Sequence, residues 1–187
     1  MILPIVAFGD NVLKKHCTEI NKEYPNLDKL IDNMFATMDN ANGVGLAAPQ
    51  IGLPIRLFII DSTIMLEDND ETDEVGLEEV FINAKMIEET GEEWAFEEGC
   101  LSIPEIRENV FRKPNIKIEY YDADWNFKTM EFSGLTARVI QHEYDHIEGI
   151  LFTDHLKPLK KQLLRKRLSR ISEGKVHPDY RMRFPKH

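Results

Sequence analysis

Apolar residues recur along the chain at two different periods, and the changes of period mark its elements. After Pro25–Asn26, Leu27, Leu30, Ile31, Met34 and Met38 fall three or four residues apart. That spacing predicts an amphipathic helix opened by the asparagine and closed near Asn40–Gly43. The apolar run from Ile55 to Ile60, broken only by Arg56, predicts a strand that Asp61 ends. Val80–Ala84 and Glu92–Phe96 lie on either side of Glu89-Thr90-Gly91 and predict a pair of strands. Asn115 to Tyr121 and Phe127 to Phe132, around Asp122–Asp124, predict a hairpin.

Helical spacing then returns with Leu135, Val139, His142 and His146. Arg138 and Glu148 are placed to face solvent, and Gly149 sits where a left-handed C-terminal cap is expected. Ile150-Leu151-Phe152 reads as buried, and Leu156, Leu159, Leu163, Leu164, Leu168 and Ile171 mark a last helix. Paired strands ahead of these helices predict an α+β fold: antiparallel sheets wrapped around a central helix that carries His-Glu-x-x-His, plus a C-terminal helix. No internal repeat or Gly/Ser linker divides the chain, so residues 1–187 are expected to form one domain.

Two stretches resist a periodic reading. Residues 43–50, Gly-Val-Gly-Leu-Ala-Ala-Pro-Gln, combine two glycines with small alanines and allow close backbone approach, to a ligand or to another strand. A dinucleotide loop is excluded because the third glycine and the following helix are missing. Residues 62–79 hold eight acids and no base, the composition of a solvated loop.

Charge changes this picture at the C-terminus. The net charge of −10 argues against generic nucleic-acid binding, but residues 157–187 hold eleven Lys or Arg against two acids, a net of +9, leaving −19 for the rest. A basic amphipathic helix thus sits on an acidic body. Two cysteines, Cys17 and Cys100, imply no disulfide framework and suit a reducing compartment. The opening Met1–Val6 is too short for a signal-peptide core and no apolar run reaches membrane-spanning length, so a cytoplasmic protein with no membrane partner is expected.

The chemistry centres on Gln141-His142-Glu143-Tyr144-Asp145-His146. Residues four apart on a helix lie one above the other, so His142 and His146 can bind one metal ion with Glu143 beside it as a proton carrier. A helix with two half-buried histidines and a surface glutamate satisfies the same spacing. Upstream, Glu97-Glu98-Gly99-Cys100-Leu101-Ser102-Ile103-Pro104 presents Cys100 from a bend, between a glycine and a strand-stopping proline. Joined to the histidines, Cys100 completes a Cys-His-His set that leaves a fourth metal position open. Spare ligands, Cys17, His16, His155, His177 and His187, stand at no telling spacing. A His-Glu-x-x-His endopeptidase is an alternative, although such enzymes take a third ligand downstream. A metal-stabilised module docking on RNA through the basic helix is another.

Residues 43–50, Glu98–Ser102 and Gln141–His146 resemble, in order, the three motifs of the peptide deformylase family, and the likeness extends to Met1–Ile5, Gly9-Asp10 and Gly149–Phe152. The resemblance implies hydrolysis of the formyl group from the N-terminal formylmethionine of nascent peptides. It implies metal ligation by Cys100, His142 and His146, proton transfer by Glu143, and oxyanion contacts from the Gln50 side-chain amide and the Leu101 backbone N–H. Gly45 matches a backbone contact to substrate. Val44, Phe96, Leu135 and Val139 match the methionine pocket, with Glu105, Ile106 and Arg107 near the bound peptide backbone. Arg138 replaces an apolar residue common at its place, and residues 62–79 exceed the compact connection of the simplest members. The resemblance implies Fe(II), while a Cys-His-His set also accepts zinc, nickel or cobalt. Glu98 and Asp145 are candidates to orient the ligand imidazoles. It also makes a tether to ribosomal RNA through the C-terminal helix an expectation.

Overall fold

The computed structural model describes residues 1–67 and 74–185. The elements are β1 (Ile5–Val6), α1 (Leu27–Asn40), β2 (Gly45–Ala47), β3 (Leu57–Asp61), α2 (Thr63–Glu67), β4 (Glu78–Thr90), β5 (Trp94–Cys100), β6 (Ile103–Arg112), β7 (Asn115–Tyr121), β8 (Phe127–Ser133), α3 (Gly134–Ile147), α4 (Pro158–Ser172) and β9 (Met182–Arg183). The expected loop over 62–79 holds only in part. Thr63 to Glu67 are helical and Glu78 already belongs to a strand, while residues 68–73, like His187, lie outside the described residues.

An antiparallel sheet in the order β2-β3-β4-β7-β8 is covered on both faces. Leu57 and Ile59 of β3, with Val80 and Ile82 of β4, pack toward Leu27, Ile31, Met34 and Met38 of α1. Their neighbours Phe58, Ile60 and Phe81 point the other way, toward Ala137, Val139 and Ile140 of α3. Successive side chains of a strand face opposite sides, so a sheet buried on both faces needs the unbroken apolar run seen at Leu57–Ile60. Asn26 precedes α1 with φ 55 and makes no side-chain cap bond, so it contributes a left-handed entry turn, which asparagine tolerates, instead of the expected oxygen cap.

The predicted pairing of Val80–Ala84 with Glu92–Phe96 does not form. β4 pairs with β3 and β7, and β5 pairs with β6. Both faces of β4 carry apolar residues, and partners on both edges bury them, whereas Gly91, at φ +94, turns the chain away into a separate ribbon. Pro104 does not stop a strand either. It is the second residue of β6, next to the register shift between Gly99 and Cys100, where a missing N–H disturbs no regular ladder.

Helix α3 ends as its sequence predicts. Gly149 adopts φ +74, its N–H reaches the His146 carbonyl at 3.2 Å, and the Ile150 N–H reaches that of Asp145 at 2.9 Å, the two bonds of a Schellman cap. The stripe on α4 is narrower than its leucines suggest. Leu164 and Ile171 are buried, whereas Leu159 and Leu163 remain 69% and 68% exposed.

Buried charges fasten the β5–β6 ribbon to α3. Arg112 of β6 grips the Glu98 carboxylate of β5 with two bonds, 2.7 and 3.0 Å, and reaches Asp145 of α3 at 2.7 Å. Arg138 of α3, expected to face solvent, is only 2% exposed. It donates to Glu98 at 3.1 Å and to the carbonyls of Val110 and Trp94 at 3.0 and 2.8 Å, and lies over the Trp94 ring. Burial alone would raise the Glu98 pKa; hydrogen bonds from His142 and Arg112 outweigh it and hold the carboxyl well below its ordinary range. Removing one partner of such a pair leaves a buried charge uncompensated. Arg112→Met is therefore expected to lower unfolding free energy by about 3–5 kcal/mol in denaturant titrations at pH 7. Because the folded Glu98 pKa is depressed, the difference should be fully present above pH 4.5 and fade as pH falls further. A loss below about 1 kcal/mol would mean that Arg138 alone compensates Glu98.

Candidate metal centre and active site

One helical turn separates His142 from His146 on α3, with ring centroids 5.2 Å apart. Cys100 ends β5, where the register shift after Gly99 breaks the ladder with β6 and turns its sulfur toward the rings. Cys100 Sγ lies 3.3 Å from His146 Nε2, and one ligand atom from each of Cys100, His142 and His146 falls within 4.8 Å of the others. Glu98 Oε2 lies 2.9 Å from His142 Nδ1, which leaves Nε2 of that ring for an ion. Glu98 thus fixes the orientation of the His142 ring, whereas Asp145 is engaged elsewhere. Its carboxylate is taken by Arg112 and by His155 Nε2, at 2.7 Å each.

A thiol and two imidazoles suit zinc or a first-row transition ion. Beside them, Glu143 is 4% exposed and its Oε2 has no hydrogen-bond partner among the described residues, as fits a carboxylate left free for a metal site. Three spare ligands are engaged elsewhere: His16 faces Glu148 at 2.8 Å, Cys17 is buried in the core between the sheet and α3, and His155 serves Asp145; His177 lines a groove beside α4.

Burial pushes the Glu143 pKa up to about 7, since water no longer solvates its charge. Burial opposes charge on both histidines. Hydrogen bonds to Cys100 and Glu98 lift His142 well above its usual value, whereas His146 falls well below, pressed further by the neighbouring His142 charge.

Segment 43–50 brings backbone close, as its composition suggests. A Cβ on Gly45 would lie 2.5 Å from Glu143 Oε1 and 2.8 Å from its Cδ, so only glycine lets β2 pass this carboxylate. Gln50 is buried, and its Oε1 accepts the Ala47 N–H at 2.8 Å. That bond fixes the amide so that Nε2 faces Cys100 Sγ at 3.5 Å and Ser102 Oγ at 3.4 Å.

These groups open on a cleft of about 630 Å³ lined by Val44, Gly45, Gln50, Phe96, Cys100, Leu101, Glu105, Ile106, Arg107, Val139, His142 and Glu143. Leu135 is not among its walls. It sits in the first turn of α3, where its N–H donates to the Glu74 carboxylate at 3.0 Å. Arg138 lines the cleft in addition to holding Glu98. Met65, Pro178, Asp179 and Tyr180 also line it and escape sequence reasoning, because no local pattern ties α2 or the tail to this place.

The polypeptide deformylase family model matches residues 2–162. The peptide deformylase of Christiangramia forsetii is 61% identical, covering 99% of this chain and 97% of its own. That of Flavobacterium psychrophilum is 60% identical, covering 98% and 97%. Among solved structures, a peptide deformylase from Legionella pneumophila superposes with a TM-score of 0.79 at 35% identity, covering 94% of this chain and 98% of its own. The family model and these relatives agree: the chain belongs to the peptide deformylase family.

Proposed function

We propose that this enzyme removes the formyl group from N-terminal formylmethionine of nascent peptides with Cys100, His142 and His146 as its metal ligands and Fe(II) as the ion in the cell. The observation that carries the reading is the Cys-His-His cluster with Glu143 beside it, whose Oε2 has no partner among the described residues. When bound, the ion supplies Lewis acidity and lowers the pKa of a coordinated water from about 16 toward 7. Glu143, buried beside the ligands, takes a proton in the attack and returns it to the departing amine. The Gln50 amide and the Leu101 N–H donate to the oxygen that gains charge as the formyl carbon becomes tetrahedral. Glu98 keeps His142 turned toward the ion. Val44, Phe96 and Val139 take the methionine side chain, while Gly45, Glu105, Ile106 and Arg107 border the peptide backbone.

The same reading extends to a partner. Arg165, Lys166, Arg170 and His177 line a groove of about 1010 Å³ along α4 and the tail, a surface suited to phosphate, in which Lys175 pairs with Glu173. Lys160 and Lys161 are less suited, since the first pairs with Glu108 at 2.9 Å and the second donates to the Asp154 carbonyl at 2.7 Å. We assign this face to ribosomal RNA near emerging chains, in a cytoplasmic enzyme.

Formate should be released from a formyl-methionyl peptide by anaerobically purified protein containing iron, and a chelator should abolish it. Full activity with zinc and none with iron would overturn the choice of ion, and chelator-resistant release would overturn the centre itself. Glu143→Gln should retain the metal yet lose nearly all turnover. Gln50→Ala should lower kcat by about 10²- to 10³-fold with a much smaller change in KM; unchanged turnover removes Gln50 from the mechanism. Charge reversal at Arg165, Lys166 and Arg170 should release the protein from ribosomes in co-sedimentation and flatten its salt dependence. Undiminished, salt-insensitive pelleting would dismiss the tether.

A further inference from the structure

Beyond the 2–162 match, the chain returns to the cleft. α4 closes at Gly174, φ +72, with the Lys175 N–H on the Arg170 carbonyl at 2.8 Å, and the backbone reverses. Val176 is buried in the cluster that contains Val6, Ile103 and Ile171, and Met182 and Phe184 pack against it. β9 pairs in parallel with β1, Met182 beside Ile5 and Arg183 beside Val6. Strung between these anchors, Pro178, Asp179 and Tyr180 form one wall of the cleft.

Tyr180 makes the contact that matters. Its hydroxyl donates to the Leu101 carbonyl at 2.8 Å, across 79 positions of sequence. The next carbonyl, that of Ser102, accepts the Phe8 N–H at 2.8 Å. Two successive carbonyls after Cys100 are therefore held, one by each end of the chain, and those ends are bonded to each other through β1 and β9. Another lining residue of the cleft is also braced from the C-terminal part of the chain. Glu105 sits at φ +65, unusual for a residue with a side chain, and its carbonyl accepts from Arg167 of α4. Burial, aided by the Cys100 and Glu105 charges, raises the Tyr180 pKa, so the phenol stays protonated and able to donate.

We propose that Tyr180 is a positioning residue of the active site: its bond to the Leu101 carbonyl holds the Leu101–Ser102 peptide plane and so restricts rotation at the Leu101 Cα, keeping the Leu101 N–H, in the preceding plane, directed at the developing oxyanion. The inference rests on the deformylase reading, in which that N–H is an oxyanion donor. A donor that must meet charge appearing only in the transition state loses effect when it can rotate, and the loss falls on kcat. Tyr180→Phe keeps the ring in its packing and removes only the hydroxyl.

The test compares wild-type and Tyr180→Phe holoenzymes in formate release, together with iron content, melting temperature and affinity for the deformylated product peptide. The expected result is a kcat about 10- to 100-fold lower, with KM, product affinity, iron content and melting temperature unchanged. Wild-type kcat in the variant overturns the inference. So does a fall in kcat that tracks lost iron or a lower melting temperature, since Tyr180 would then only brace the fold. Met182→Ala, which loosens the strap's anchor and leaves the phenol, should lower kcat in the same direction but less; a larger loss than Tyr180→Phe would place the effect in tail packing and overturn the role of the hydroxyl. A wild-type enzyme that releases no formate would instead sink the deformylase reading beneath it.

Discussion

A single buried carboxylate, that of Glu98, ties the site to its scaffold. It accepts from Arg112 on the neighbouring strand, from Arg138 on α3, and lies against the ring of His142. Each bond does a different job: the first closes the β5–β6 ribbon, the second presses that ribbon on α3, the third sets the rotation of the His142 ring. A charge taken from water is costly unless its lone pairs are filled, so these partners are held by the same force that holds each other. Two residues after Glu98, the sulfur of Cys100 therefore arrives beside the rings without a flexible loop to carry it.

Around that tie, the backbone of β2 sets the places of Gln50 and Glu143. The Ala47 N–H selects the orientation of the Gln50 amide, and the lack of a side chain at Gly45 lets β2 pass Glu143. The two-faced sheet makes this possible. α1 and α3 pack on its opposite sides, so β2 is pinned between layers when it meets the Glu143 carboxylate. Preorganisation of this kind is what makes a hydrogen-bond donor effective against a charge that exists only in the transition state.

The ends of the chain complete the enclosure. A short parallel pairing of β1 with β9 brings the tail, with its excess of basic residues, back over an acidic body, and the strap between α4 and β9 walls the cleft. α4 has two faces with separate work. Leu164 and Ile171 anchor it, while its arginines and lysines either brace the body, as Arg167 does at Glu105, or remain in the basic groove.

Much of this was legible in the residues alone. Helical spacing placed His142 and His146 on one face, the Gly149 cap ended α3, and three ordered motifs pointed to the family and its ligands, because these are local or short-range patterns that the backbone geometry enforces wherever they occur. Pairing was not legible. Val80–Ala84 suited a hairpin with Glu92–Phe96 as well as it suited β3 and β7, and only burial of both faces of β4 decides between them. Nor could a one-dimensional pattern tell Arg138 from a solvent-facing arginine, place Leu135 at a helix entrance instead of a pocket wall, or bring Tyr180 to Leu101. Those contacts depend on which surfaces meet across the fold, and buried charges and distant hydrogen bonds take their partners from that meeting, not from their neighbours in sequence.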